Sequence, residues 1–200
     1  MKLNPFERLL MNNPARGLVQ RFYEGPLLRR LGGRLDGAQV LEVGCGQGMG
    51  IRVLLEQFGA AHVTGVDLDP RQIDLARHKL VSRHAGRVSL AVASADRLPF
   101  PDKFFDAVFD FGILHHVPAW QSAVAELCRV LKPSGKLFFE EITSDALNRW
   151  SYRVFLKHPK ENRFSEAQFV RELQSHNAEL LAEPRRTFRN DIFIGVAQLK

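Results

Sequence analysis

The chain has 200 residues, of which 45% are hydrophobic and 25% are charged, so it can form one domain with a substantial core. No apolar run approaches the roughly 20 residues that cross a bilayer, and the N-terminus lacks the apolar core of a secretion signal. The net charge of +6 is spread along the chain, which favours a solvated basic face over a nucleic-acid site. Cys45 and Cys128 lack metal-binding spacing, so we expect a cytoplasmic protein without a metal site.

The first predicted unit is an N-terminal helical segment over residues 1–36, which precedes a domain over residues 37–200 within one compact unit. Apolar residues recur at helical spacing in this segment. Pro14 and Pro26 are expected to divide it into separate pieces, because proline lacks the backbone N–H that continues a helix.

From residue 38 the hydrophobic pattern alternates between strand and helix periods. The predicted strands are Val40–Val43, His62–Asp67, Arg87–Ala93, Phe104–Phe111 and Lys136–Thr143. Helical patterns separate them, so the strands should run parallel through right-handed crossovers.

The C-terminal part begins with two predicted helices, at 145–157 and 165–176. Two β-rich runs follow, near 178–188 and 191–199. The connection between these runs is too short for a parallel crossover, so they should be antiparallel to each other. The predicted fold class is therefore α/β, with helices on both faces of a mostly parallel, doubly wound sheet.

A glycine-rich stretch at residues 40–48, with the sequence Val-Leu-Glu-Val-Gly-Cys-Gly-Gln-Gly, joins the first strand to a helix. Its glycines allow a sharp turn and leave room for a ligand against the main chain. A dinucleotide fingerprint would need a small residue at Met49 or Ile51, so the spacing disfavours a nicotinamide oxidoreductase. Glu42 would repel a pyrophosphate and would favour a ligand that carries an ammonium or sulfonium group.

Two aspartates follow later strands, and the carboxyl ends of parallel strands form a ligand-binding edge. Asp67 can accept hydrogen bonds from both ribose hydroxyls, or it can be a solvated or helix-capping residue. Asp69 is the better N-cap, with Pro70 at the first helical position and Gln72 placed for a capping box. Asp96 can accept from an adenine amine, or it can be an ordinary turn residue.

These motifs together resemble the class I S-adenosylmethionine-dependent methyltransferases, in the small-molecule branch that includes quinone methylases. The resemblance is carried by the segments 40–48, 64–70, 94–100, 105–117 and 131–135, and it extends over residues 38–143. It implies a Rossmann-like sheet of seven strands with an antiparallel last strand. It also implies S-adenosylmethionine as the cofactor, bound by Glu42, Gly44, Cys45, Gly46, Asp67, Leu68, Ala95, Asp96 and Phe111. We interpret Cys45 as a packing residue rather than a nucleophile.

The resemblance leaves the catalytic residues open. Paired histidines after the fourth strand occur in the family with many acceptors, so His115 is a candidate general base and His116 is interpreted as a structural loop residue. Of Glu140 and Glu141, only one can face the crevice, because successive side chains alternate across a strand.

The methyl acceptor is expected to be a small molecule. The loop at residues 110–114 lacks the Asn/Asp-Pro-Pro-Tyr pattern of methyltransferases that act on nucleic-acid bases. Residues 1–36, as a lid, and residues 144–164 should form the acceptor pocket. Their basic and aromatic residues would suit an acidic apolar acceptor or contact with an anionic membrane, but they can also be ordinary packed helices. A non-catalytic module that binds the same cofactor remains the alternative.

Overall fold

The computed structural model describes residues 13–80, 83–148, 162–188 and 190–200. Its strands are β1 Gln39–Val43, β2 His62–Asp67, β3 Val88–Val92, β4 Phe105–Phe111, β5 Leu131–Ile142, β6 Ala178–Leu180, β7 Arg185–Thr187 and β8 Ile192–Leu199. Its helices are α1 Pro14–Val19, α2 Gly25–Gly32, α3 Met49–Val53, α4 Pro70–Leu80, α5 Trp120–Val130, α6 Ser144–Asn148 and α7 Glu166–Ser175. Wider helical turns at Gln20–Glu24 and Leu54–Phe58 continue α1 and α3, and a 3-10 turn spans Leu114–His116.

The strands form one sheet in the order β3-β2-β1-β4-β5-β8-β6. Neighbours from β3 to β5 are parallel, whereas β8 is antiparallel to β5. Both β6 and β7 pair antiparallel with β8, one after the other along its edge. They therefore share one position, which gives seven positions in the sheet. The predicted α/β fold, with its antiparallel last strand, is confirmed.

The N-terminal segment is continuous from Pro14 to Gly32, so the expected break at Pro26 is wrong. The turn before Pro26 is wider than an α-helical turn, because the Gly25 N–H donates to the Gln20 carbonyl. This local widening accommodates the missing donor of proline without ending the helix. Pro14 begins the helix behind the Asn13 cap, and residues 1–12 lie outside the described residues.

The end of this helix packs directly on the sheet. A Cβ at Gly32 would overlap Phe138 and contact Val196, so the backbone of α2 lies against β5 and β8. The Lys136 Nζ donates to the Gly32 carbonyl at 2.8 Å. Helix and sheet consequently bury a common core, which includes the fully buried Leu28.

Two apolar cores cover the two faces of the sheet. One contains Leu28, Phe58 and Phe109, and the other contains the buried faces of α5 and α7. The Phe109 and Phe138 rings stack at 4.2 Å, with the Phe58 ring edge-on to both. No helix in the described ranges is long and apolar enough to cross a bilayer.

The C-terminal half refines two predictions. Strand β5 begins earlier than expected, because residues 132–135 form a bulge within it and Ser134 takes a φ of 63°. The predicted helix at 165–176 is present as α7, and Ser165 caps its first turn. Of the predicted helix at 145–157, only α6 falls among the described residues.

Candidate functional site

A cavity opens beyond the carboxyl ends of β1, β2 and β4, the edge at which ligands bind in open α/β sheets. Every residue predicted to bind the cofactor lines it: Glu42, Gly44, Cys45, Gly46, Asp67, Leu68, Ala95, Asp96 and Phe111. The alternating glycines, the two strand-end aspartates and the loop after β4 therefore meet in one place.

The glycine turn is open toward this cavity. Gly44 and Gly46 have φ angles of 66° and 51°, which side-chain-bearing residues rarely adopt. A Cβ at Gly44 would lie 2.9 Å from the Ile113 Cβ, so this glycine allows close approach of the loop after β4. A Cβ at Gly46 would meet nothing within 4 Å. The main chain at Gly46 is thus accessible to a ligand.

Asp67 fixes this turn and also faces the cavity. Its Oδ2 accepts the Gly46 N–H at 2.9 Å, and its Oδ1 accepts the Asp69 N–H at 2.8 Å. Burial raises the pKa of the Asp67 carboxyl, although these two backbone bonds lower it. Each carboxylate oxygen can accept a further hydrogen bond, so the geometry leaves capacity for a vicinal diol.

Helix α4 begins with the predicted Asp69 cap but lacks the predicted capping box. The Asp69 side chain accepts the Arg71 N–H at 3.1 Å and so caps the helix. The expected capping box with Gln72 is wrong, because the Asp69 N–H already bonds to Asp67. The Gln72 side chain is instead buried at the cavity, and its Oε1 has no hydrogen-bond partner among the described residues.

Glu42 is the buried acid of the site. Only 2% of the residue is exposed, and its Oε2 has no hydrogen-bond partner in the part of the chain described. Burial, with a contribution from the Asp67 charge, raises its pKa well above the ordinary value, whereas the Arg16 charge lowers it. Such a carboxyl becomes better satisfied when a cationic ligand group enters the cavity.

Arg16 is a cavity residue that the sequence did not single out. It projects from α1 and contacts Glu24, and its Nη2 lies 3.3 Å from the Glu140 Oε1 and 3.5 Å from the Phe111 carbonyl oxygen. Gln20, one helical turn later, lines the same cavity. Arg16 and Gln20 are four residues apart and so share one side of the helix, and this spacing was the available sequence signal.

The two histidines of the loop after β4 have different surroundings. His115 is buried, and its Nδ1 lies 2.6 Å from the Glu141 Oε2, whereas His116 lines the cavity. The rings are 4.2 Å apart. The structure therefore brings His116 rather than His115 to the cavity, and the role of either histidine as a base stays a prediction. The turn directs alternate side chains inward and outward, which a His-His pair in sequence does not reveal.

Glu141 anchors the loop after β4. It accepts the Leu114 N–H at 2.6 Å and the His115 N–H at 3.3 Å, while Asp110 accepts the Ile113 N–H at 2.9 Å. Burial raises the pKa of Glu141 to about 7 and that of Asp110 well above its ordinary value, with the Glu141 charge adding to the second shift. Burial thus favours the protonated form of both carboxyls.

Glu140 does not line the cavity either. It lies behind Arg16, and burial followed by the Glu24 charge raises its pKa well above the ordinary value. The sequence allowed one of Glu140 and Glu141 to face the crevice, and neither lines the cavity, since Arg16 holds Glu140 and the loop backbone holds Glu141.

Cys45 packs rather than reacts. Its Sγ would lie 2.9 Å from a Cβ at Gly65, so the thiol fills the space above β2. Burial, followed by the Glu42 and Asp67 charges, raises the pKa of the thiol well above its ordinary value. A thiol that stays protonated is a poor nucleophile.

Comparison with known proteins identifies the family. The methyltransferase-domain family model matches residues 41–139, the segment that contains the glycine turn and the loop after β4. The structure of an S-adenosylmethionine-dependent methyltransferase from Aquifex aeolicus superposes with a TM-score of 0.77 at 21% identity and covers all of both chains. Residues 41–139 thus form a methyltransferase domain of the class I, S-adenosylmethionine-dependent type. S-adenosylmethionine is the cofactor that this domain implies.

Individual methyltransferases are similar over part of their length. A demethylmenaquinone methyltransferase from Tropheryma whipplei is 35% identical over 66% of this chain and 55% of its own length. A fatty-acid O-methyltransferase from Mycolicibacterium smegmatis is 36% identical over 54% of this chain and 38% of its own length. The chain spans about half the length, or less, of these curated relatives.

The described residues fit the cofactor. The methionine part carries an ammonium and a carboxylate, and the cavity offers the unsatisfied Glu42 oxygen together with the Arg16 guanidinium. The open main chain at Gly46 leaves space between them and Asp67. The charges of the cavity thus complement a zwitterionic nucleoside.

Proposed function

We propose that the chain transfers a methyl group from S-adenosylmethionine to a small-molecule acceptor. The observation that carries the proposal is the meeting of Glu42, Asp67 and the open glycine turn in one cavity at the carboxyl edge of the sheet. The family membership supports the same reaction, because this cofactor carries a methyl group that its sulfonium activates for displacement.

Each end of the cofactor has a complementary group. Glu42 would accept from the methionine ammonium, and Arg16 would face the methionine carboxylate. Asp67 would accept from the ribose hydroxyls through the lone pairs that Gly46 and Asp69 leave open. Asp96 lines the cavity beside Ala95, where it would accept from the adenine amine.

The work left to the protein is to orient the acceptor and to exclude water. Ile113, Val117 and Pro118 provide apolar walls next to His116. His116 is the histidine that we place against the acceptor, and it can take a proton from an acceptor hydroxyl. The Glu141 anchor would hold His116 in position through the backbone of the 3-10 turn.

The acceptor class follows from the apolar walls and from the names of the relatives. Fatty acids and demethylmenaquinone, named for two relatives, are apolar molecules with an oxygen-bearing polar head. An acceptor of this kind would place its polar head near His116 and its apolar part against these walls.

The cofactor assignment is tested with Asp67→Asn, titrated with S-adenosylhomocysteine by isothermal calorimetry. Loss of charge-assisted hydrogen bonds to two hydroxyls should weaken binding by about 30-fold or more. Asp74→Asn is the matched control, because Asp74 is an exposed carboxylate that pairs with Arg77 on the outer face of α4. Equal affinity of wild type and Asp67→Asn, with unchanged circular dichroism, would refute the ribose assignment.

The reaction itself is tested with labelled S-adenosylmethionine and a panel of fatty acids, quinols and aromatic hydroxyl compounds. Methyl transfer to one class would support the proposal. Cofactor binding without transfer to any acceptor would favour the alternative, a non-catalytic module.

A further inference from the structure

The outward side of the N-terminal helix carries large apolar side chains. Leu18 is 56% exposed, Phe22 70%, Tyr23 44% and Phe188, from the loop after β7, 54%. We call these four residues the apolar face. Leaving a Phe and a Leu largely in water forgoes the stabilisation that their burial would bring.

The apolar face consists of two pairs of side chains. Leu18 and Phe22 are one helical turn apart and therefore lie side by side. Tyr23 contacts Phe188, with the two rings edge to face at 6.0 Å. Strand β7 runs antiparallel to β8, so Phe188 lies at the same edge of the sheet as the cavity.

Three arginines of the helix flank this face, and one of them, Arg21, is paired with Glu56 of the neighbouring turn. Arg29 and Arg30 are exposed in the last turn of α2, and the Arg21 guanidinium lies 6.0 Å from the centre of the Phe22 ring. Glu24 is the only acidic residue between residues 13 and 32, and it is buried against Arg16. The outward side of the helix is thus apolar and cationic.

We propose that the apolar face docks on the surface of an anionic lipid bilayer. An apolar helix side flanked by arginines lies in the interfacial plane, with its side chains below the headgroups and its cations among them. The opposite side of the same helix lines the cavity through Arg16 and Gln20. Docking therefore brings the cavity within about one helix diameter, roughly 10 Å, of the lipid. The inference goes beyond methyl transfer and does not depend on it.

The first experiment measures flotation of the full chain with phosphatidylglycerol-containing vesicles and with pure phosphatidylcholine vesicles. We expect binding to the anionic vesicles that falls with salt. The double variant Leu18→Ser/Phe22→Ser should weaken it by about tenfold or more. Phe104→Ser is the matched control, because Phe104 is 45% exposed but precedes β4, at the opposite edge of the sheet. Equal loss in both variants, or equal binding to neutral vesicles, would overturn the proposal.

The second experiment tests the arginines. Arg29→Gln/Arg30→Gln should reduce binding to anionic vesicles by about tenfold and flatten the salt dependence. Arg77→Gln, on the distant helix α4, should change neither. An unchanged salt dependence in the double variant would contradict the role of these cations.

A third measurement locates the contact. Cys45 and Cys128 are only 4% and 5% exposed, so a thiol-reactive environment-sensitive dye will attach to an introduced cysteine. The dye on Leu18→Cys should shift to the blue when anionic vesicles are added, while the dye on Phe104→Cys should not. A dye at position 18 that is shielded before vesicles are added would show that protein covers the face, and this would refute the docking. Size-exclusion chromatography would then show whether the covering protein is a second copy of the chain or another segment of the same chain.

Discussion

Glu141→Gln removes a buried ionisable group while it preserves the size of the side chain. In the wild type, Glu141 accepts from the Leu114 and His115 backbones, and its Oε2 lies 2.6 Å from the His115 Nδ1. A glutamine oxygen can still accept the Leu114 N–H. Its amide N–H then faces the His115 Nδ1, which can accept when the ring carries its proton on the other nitrogen. The fold should therefore survive the substitution.

The expected change in the free energy of unfolding follows from the pKa of Glu141, which burial raises from 4.5 to about 7 in the native state. The native protein binds this proton more tightly than the unfolded chain, so the contribution of Glu141 to stability is full below pH 4.5. It is lost as the pH rises through 7. At 1.36 kcal/mol for each pKa unit, the wild type should lose roughly 2–3 kcal/mol between pH 5 and pH 8 that the variant keeps.

The assay is urea unfolding at pH 5, 6, 7 and 8, followed by the fluorescence of the buried Trp120. The difference in midpoint between wild type and variant should change by about 1 M across this range. Glu126→Gln is the control. The Arg129 hydrogen bond lowers the pKa of Glu126, so it stays ionised above pH 5 and its stability difference should not vary with pH. Parallel pH profiles for wild type and Glu141→Gln would refute the reasoning.

Two further substitutions test the packing and charge of the cavity. Gly50→Ala should lower stability by about 1–3 kcal/mol and weaken binding of S-adenosylhomocysteine, because the new methyl overlaps the buried Glu42 carboxyl. Gly17→Ala, whose methyl meets only a flexible methionine end, should change neither calorimetric binding nor the thermal midpoint appreciably. Arg16→Met should cost about 3–5 kcal/mol at pH 8, because it leaves the buried Glu140 without its cation. Part of this loss should return as the pH falls, because burial raises the pKa of Glu140 and favours its protonated form, and thermal unfolding at pH 8 and pH 5 measures it.

Local sequence was sufficient for the strands and for the cofactor side of the cavity. Glycines at alternate positions after a buried strand force a turn with left-handed backbone angles, and strand ends place Asp67 at the edge of a parallel sheet. These features depend on residues close in sequence and on the general geometry of α/β sheets. The same reasoning identified the family from segments 40–48 to 131–135.

The orientation of the side chains at residues 110–116 could not be predicted from local sequence. Which histidine faces the cavity depends on where Glu141, on the next strand, receives the backbone of the 3-10 turn. A similar long-range contact joins Arg16 to Glu140 across more than a hundred residues. Burial and hydrogen-bond partners from distant parts of the chain determine which orientation a side chain takes. A local sequence pattern contains neither.

The sequence by itself determined the sheet and the glycine turn, because each rests on local backbone geometry, and the resemblance of its motifs to a known family implied the cofactor. Only the tertiary structure decided that the N-terminal helix closes the cavity with Arg16, that His116 rather than His115 lines it, and that Leu18 and Phe22 remain exposed. These features depend on how elements distant in sequence pack against each other. Packing determines which polar groups find hydrogen-bond partners inside the protein and which apolar side chains stay exposed.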